Sequence, residues 1–414
     1  MPKSSLQQRV AGIIGNLLEH YDAALFGLLA PFIAPLFFGQ TDPITALIMT
    51  YAMIPLGLLT KPLGSIFFGY VGDRFGRKQA LLLSLGGMAL ATVALGCLPP
   101  YQEIGPWAIL LLAILRMLQS FCSAGEVTGA ALFVLEHTPN AKRGLVSGWY
   151  DASSVAGMLI GSAFVSMLCA QDAVLDYWRF LFWTGGLPAI LGLFLRIRME
   201  DAQEFTKSAK REKPPLFQVL YLYKRELFFI LLAAGFTYTT YAMAFTLMNG
   251  YVPLVTHLKK SDVMQINTWL LLVDMCMLPF FGWLANKFGK ARIMVGASIL
   301  SGIGAIPLFY LLKGADLGMV ITIRFYIVLC GVAFAAPYYA WAMEQIAPRY
   351  RYTVIAIAGC LGSQLIGAPS SAISLWLYQK TLWAPAPGLY LACVSLLAIY
   401  GIGQLERLRK TIPL

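Results

Sequence analysis

Apolar runs longer than twenty residues recur from one end of this chain to the other, and they decide what it can fold into. Hydrocarbon offers backbone amides no hydrogen-bond partner, so only helices or closed barrels cross it. A helix needs about 20 apolar residues to span a bilayer, whereas barrel strands alternate in runs of ~10. The runs here are too long and too continuous for strands. Charged residues make up 12% of the chain, half the roughly 25% of a soluble globular protein. An all-α membrane protein is the predicted class.

Twelve spans are predicted, at 10–38, 45–71, 79–98, 105–136, 141–169, 177–198, 224–256, 262–286, 291–312, 318–346, 352–379 and 386–405. The hydrophilic stretch 199–223 divides them into an N-terminal six-helix bundle (1–198) and a C-terminal one (224–414), and reads as an interdomain linker. Twelve spans put both termini on one side. Of 31 Lys and Arg, 23 fall on that side, 5 fall opposite, and Lys61, Arg116 and Arg324 lie inside spans. By the positive-inside rule the terminus side is cytoplasmic and the linker with it. The net charge of +11 is thus topology, and no nucleic-acid partner is expected. Span 1 reads as a retained helix without a cleavage site, not a signal peptide. The seven cysteines stand singly without CxxC spacing, which excludes a metal or disulfide framework.

The two halves repeat. Gly69–Lys78 (GYVGDRFGRK) aligns with Gly282–Ala291 (GWLANKFGKA) at an offset of 213, and Glu136 and Arg143 meet Glu344 and Arg351 at an offset of 208. Duplicated halves around a central site are a common transporter plan.

Between spans 2 and 3, Gly69–Lys78 resembles the G-x-x-x-D-R-x-G-R-[KR] loop of the major facilitator superfamily. That resemblance implies two pseudo-symmetric six-helix bundles around a central cavity, working by alternating access. Asp73, Arg74 and Arg77, with Glu136 and Arg143, are then expected to form a gate on the terminus side. Three segments are similar to the metabolite:proton symporter family, whose members import organic acids, proline or betaine. They are Gly15–Gly27 (GNLLEHYDAALFG), Lys61–Lys78 (KPLGSIFFGYVGDRFGRK) and Arg116–Gly144 (RMLQSFCSAGEVTGAALFVLEHTPNAKRG). Departures include His20 for Trp, Ala23 for Phe, Lys61 for Arg, and Ser120 and Ala124 for Gly. The antiporter Gly-Pro signature is missing from Gly148–Gly161, which favours uptake.

Ions inside a span are costly and mark pathways or relays. Glu19 and Asp22 share one face of span 1, and Glu126 lies at the same depth on span 4, so proton coupling is expected at one of the three. Structural hydrogen bonding between spans 1 and 4 is the alternative. Arg116 and Arg324 correspond at offset 208 and suit a carboxylate clamp; the alternative is that each neutralises a fixed acid. Lys61, Tyr241 and Tyr338 are further expected substrate contacts. The other aromatics near them, Tyr238, Tyr251, Tyr339 and Trp341, read as packing. Asp151 and Asp274 form a second charged pair that can share a proton, or else a buried hydrogen-bonded one. His20, beside Glu19, reads as a pH-sensitive element or a plain Trp replacement.

No nucleotide-binding loop, catalytic motif or cofactor signature occurs, so neither an enzyme nor an ATP-driven pump is expected. The predicted function is proton-coupled import of a small, anionic organic acid by a monomer in a bacterial inner membrane. Di- and tricarboxylates and carboxylate siderophores fit the arginines. The alternatives are an exchanger or facilitator, or a symporter of a zwitterionic osmolyte such as proline or betaine.

Overall fold

The computed structural model describes residues 3–75, 77–124, 127–136, 138–197, 216–348 and 350–411, and among these no strand occurs. Span 1 is Lys3–Phe38, and span 2 runs as Pro43–Ala52 and Gly57–Phe75. Span 3 is Arg77–Gly96, span 4 comprises Pro106–Ser123 and Val127–Glu136, span 5 is Arg143–Ala170 and span 6 is Val174–Ile197. Span 7 is built from Lys224–Tyr241, a π-helical Ala242–Leu247 and Met248–Val255. Spans 8, 9 and 10 are Lys260–Phe288, Lys290–Leu311 and Leu317–Glu344. Span 11 runs through Arg351–Gly362, a second π-helical piece Ser363–Gly367, and Ser370–Thr381; span 12 is Ala386–Thr411. Ten helical segments among the described residues are long and apolar enough to cross a membrane, and Leu82–Gly96 is a shorter apolar one. Large side chains such as Leu59, Ile66, Trp107, Trp149 and Trp269 are exposed around the outside, as expected of a surface that meets lipid.

Local breaks have local causes. Asp42 caps span 2 by accepting from the Thr45 amide at 3.0 Å, ahead of Pro43 at the first helical position. The interruption between Ala52 and Gly57 contains Pro55, which has no amide to donate. Leu216–Leu222 is a short helix inside the expected linker, so that segment is not a plain tether; residues 198–215 of the same stretch lie outside the described residues.

Spans 1 to 6 pack among themselves, as do spans 7 to 12, and the two groups meet chiefly along spans 5 and 8 and along spans 2 and 11. On the terminus side the meeting is backbone to backbone. A Cβ on Gly144 would stand 2.6 Å from the Gly282 carbonyl oxygen, so glycine lets spans 5 and 8 touch. The Gly144 amide donates to the Asn286 side chain at 2.9 Å. The far side is bridged as well. Lys260 Nζ donates to the Pro31 carbonyl at 2.7 Å, the Tyr51 hydroxyl to the Thr246 carbonyl at 2.8 Å, and Gln379 Nε2 to Thr45 at 2.7 Å. A small cavity remains between these closures, lined by Ala24, Leu28, Met158, Phe245, Thr246 and Leu271. The two halves are therefore in contact on both sides of their shared centre.

Candidate functional site

Three buried polar centres lie within the spans, and each is assembled from helices that the sequence keeps far apart. The first is in the N-terminal half. Asp22 of span 1 is 2% exposed and accepts from the Thr92 hydroxyl of span 3 at 2.6 Å. Gln119 of span 4 donates to Thr92 at 2.9 Å and accepts from Arg116, whose guanidinium also stacks over Phe26 at 4.3 Å. A buried cation is thus linked to a buried acid through two neutral residues. The other Asp22 oxygen receives no hydrogen bond from a described residue. Glu19, also buried, is one turn away and lies within electrostatic range of Tyr238. Glu126 lies outside the described residues. Asn16 ties span 1 to span 5 through Ser153 at 2.8 Å and Ser154 at 2.7 Å, and its carbonyl lies 2.8 Å from His20 Nδ1. His20 is half-buried and bonds within its own helix.

The second centre is Arg324, fully buried on span 10. It donates to the carbonyls of Ala244 at 2.8 Å and Val263 at 3.1 Å, and to the side chains of Asn267 at 2.5 Å and Asn249 at 3.3 Å. Ala244 belongs to the π-helical piece of span 7, where the irregular ladder frees a carbonyl. The expected clamp of Arg116 and Arg324 facing one cargo therefore differs from what is seen. Each guanidinium is held by protein partners of its own bundle, and no carboxylate is among the described partners of Arg324. Asn249 and Asn267 went unremarked in the sequence, although two amides in apolar spans are themselves a signal of an internal network.

The third centre sits where the bundles meet. Asp274 of span 8 is fully buried and accepts from the Tyr241 hydroxyl of span 7 at 3.1 Å; its second oxygen has no described donor. Asp151 of span 5 is close enough for the two charges to interact. Among the described residues neither acid is in an ion pair. Tyr338 and Tyr339 pack ring to ring with centroids 5.2 Å apart, and Tyr150 meets Tyr339 edge-on at 6.1 Å. Tyr238, Tyr338 and Tyr339 all feel the Asp151 charge. Lys61 lies across the other junction, within range of His20 on span 1 and Cys360 on span 11. Tyr251 and Trp341, in contrast, are packed away: Tyr251 donates to the Ala384 carbonyl and Trp341 to Glu406.

At the terminus side, the side chains of Asp73, Arg74 and Arg77 lie outside the description. Their counterparts in the second half are visible. Asn286, the counterpart of Asp73, caps the start of span 5, and Lys290, the counterpart of Arg77, pairs with Glu344 at 2.7 Å. Arg143 donates to the Leu135 and Thr138 carbonyls, both at 3.2 Å, and so closes the end of span 4. Arg351 repeats the motif on the Ile346 carbonyl at 2.9 Å. Arg351 lies within charge range of Arg143, Glu136 and Glu344. Four of the repeated charges therefore gather at one junction.

This architecture has known counterparts. A D-xylose-proton symporter superimposes with a TM-score of 0.76 over 97% of both chains at 14% identity. The xylose transporter of E. coli in a partially occluded inward open conformation gives 0.74 over 97% of this chain and 99% of that one, also at 14% identity. These likenesses speak for the fold alone. In sequence, the chain is 27% identical over 405 residues to the proline/betaine transporter of Escherichia coli K12, covering 94% of this chain and 81% of the relative. The glycine betaine/proline/ectoine/pipecolic acid transporter of Dickeya dadantii matches equally, 27% over 405 residues with the same coverage. The Major Facilitator Superfamily model matches residues 13–371. Twelve spans in two packed halves, polar centres within them and a match across most of the length lead to one conclusion: the chain is an integral membrane transporter that belongs to the Major Facilitator Superfamily.

Proposed function

We propose that this protein is a proton-coupled symporter that imports a small zwitterionic solute of the proline or betaine class by alternating access. The observation that carries coupling is the buried Asp22–Thr92–Gln119–Arg116 chain. An acid enclosed by a membrane-spanning bundle, with one oxygen held and the other lacking a described donor, can take up and release a proton as access alternates. The solute class rests on the relatives, whose names speak of proline and betaine. An exclusively anionic cargo is not what the relatives' names suggest, and Arg116 and Arg324, which motivated it, each bond inside a separate bundle. Lys61 is the basic group left near the junction for the solute carboxylate, with Tyr241 and Tyr338 beside the path. The basic residues of the terminus side make that side cytoplasmic, in the inner membrane of a bacterium. Spans 1 to 6 and 7 to 12 act as the two moving bodies, joined by the stretch 199–223.

The reading is tested in proteoliposomes with an imposed inward proton gradient, comparing radiolabelled glycine betaine and proline with citrate and shikimate. Accumulation of betaine or proline that collapses with a protonophore is expected. Accumulation of citrate or shikimate alone would return the cargo to the organic acids, and gradient-independent equilibration would make the protein a facilitator.

A further inference from the structure

The acid pair at the junction of the bundles is not needed for the Asp22 relay. Two carboxyl groups within charge range of each other lie in the hydrocarbon region, and among the described residues no fixed cation pairs with either. Ionisable groups inside spans persist where something mobile meets them. The bonding is incomplete in a directed way. Tyr241 satisfies one oxygen of Asp274 and no described residue satisfies the other; the hydroxyl of Tyr338, a residue 3% exposed, likewise has no described partner. Tyr238, Tyr338 and Tyr339 lie within charge range of Asp151, and Tyr150 meets Tyr339 edge-on; tyrosine ring faces carry partial negative charge. The small cavity between the bundles is lined by Phe245, one turn from Tyr241, and Leu271, one turn from Asp274.

We propose that Asp151 and Asp274, ringed by Tyr241, Tyr238, Tyr338 and Tyr339, receive the positively charged head of the solute. This rests on the zwitterion reading above and extends it to a named subsite. Carboxylates supply the counter-charge, and tyrosine faces supply the attraction that a weakly hydrated ammonium draws from aromatic rings. The Asp22 site is the poorer choice, since Arg116 already provides its cation. Asp274 and Lys61 stand at corresponding positions of the two halves, offset by 213 residues. The repeat thus presents an acid at one junction and a base at the other, matching the two ends of a zwitterion. Because spans 5, 7, 8 and 10 all contribute, a cation held here ties both bundles together.

The test compares glycine betaine with 3,3-dimethylbutyrate, its carbon isostere, which keeps the carboxylate and the shape but lacks the positive charge. Equilibrium binding to the purified protein is expected to be at least about tenfold weaker for the isostere, or roughly 1.4 kcal/mol. That ratio should fall to near one in Asp274→Asn and in Asp151→Asn. A second measurement needs no variant: glycine betaine, but not the isostere, should protect Asp151 or Asp274 of the wild type from a hydrophobic carbodiimide, as mapped by mass spectrometry. Equal binding of the two ligands, an unchanged ratio in both variants, or labelling that betaine does not reduce would each overturn the subsite while leaving zwitterion transport intact. If neither betaine nor proline binds the wild type, the zwitterion reading fails and the subsite falls with it.

Discussion

A single hydrogen-bonded chain illustrates how residues here act through others. Arg116 is hydrogen-bonded to Asp22 by way of Gln119 and Thr92, so the geometry of the acid depends on a hydroxyl that stands 70 positions from Asp22 in the chain. Thr92→Val keeps the shape and deletes the link. It is expected to slow proton-driven uptake by about tenfold or more, a loss of ~1.4 kcal/mol, with counterflow exchange far less affected; equal loss of both would make Thr92 merely structural. Arg324→Met should lower the thermal midpoint by several degrees, since it strands two amides and two carbonyls at about 1–3 kcal/mol for each buried group left unsatisfied. Asp42, on the far side, is held below the usual carboxylate range by the Thr45 hydroxyl and amide. A depressed acid stabilises above its unfolded value and loses that effect only as pH falls through the folded one. The difference in thermal midpoint between wild type and Gln379→Leu should therefore stay constant from about pH 5 to 8 and shrink only in stronger acid. At this scale the sequence was partly legible. Asp22, Arg116, Asp151 and Asp274 stood out because ions are rare in spans. Thr92 did not, because small hydroxyl residues are tolerated in helices, and for Asn249 and Asn267, polar enough to signal a network, only tertiary contact reveals the partners.

Elements carry the contacts between the bundles. Spans 5 and 8 touch through Gly144 and Gly282, where any larger side chain meets backbone or the Asn286 amide. Gly144→Leu is expected to hold the terminus side apart. The reading is labelling of Ser147→Cys, a buried position on span 5, by a membrane-impermeant maleimide from that side; labelling should rise several-fold, and an unchanged rate would remove spans 5 and 8 from the closure. The π-helical piece of span 7 joins three neighbours through its carbonyls: Arg324 at Ala244, Tyr51 at Thr246 and Ser371 at Ala242. Hydropathy located the spans because hydrocarbon admits only a fully bonded backbone. It gave no sign of the π-helical pieces, since these change the ladder and leave hydropathy alone, whereas Pro55 marks the split between Ala52 and Gly57.

Across the whole molecule, two similar bundles meet around a small cavity and are bridged on both of its sides. The repeat was visible in the sequence as matched loops, and the structure extends it to contacts: Arg143 and Arg351 close equivalent helix ends, and Lys290–Glu344 occupies the place expected of Arg77 and Glu136. What pattern could not convey was which polar residues face the partner bundle. Tyr339 packs against Tyr338 and Tyr150, as its spacing suggested, and Tyr238 and Tyr339 also lie within charge range of Asp151, which helical periodicity alone does not say. The most direct test of the account separates coupling from movement in the same vesicles. Wild-type protein and Asp22→Asn are loaded with glycine betaine and assayed first for counterflow exchange at equal pH, then for net accumulation under an inward proton gradient. The account predicts that the variant retains exchange and loses gradient-driven accumulation; accumulation at the wild-type level in Asp22→Asn would contradict it.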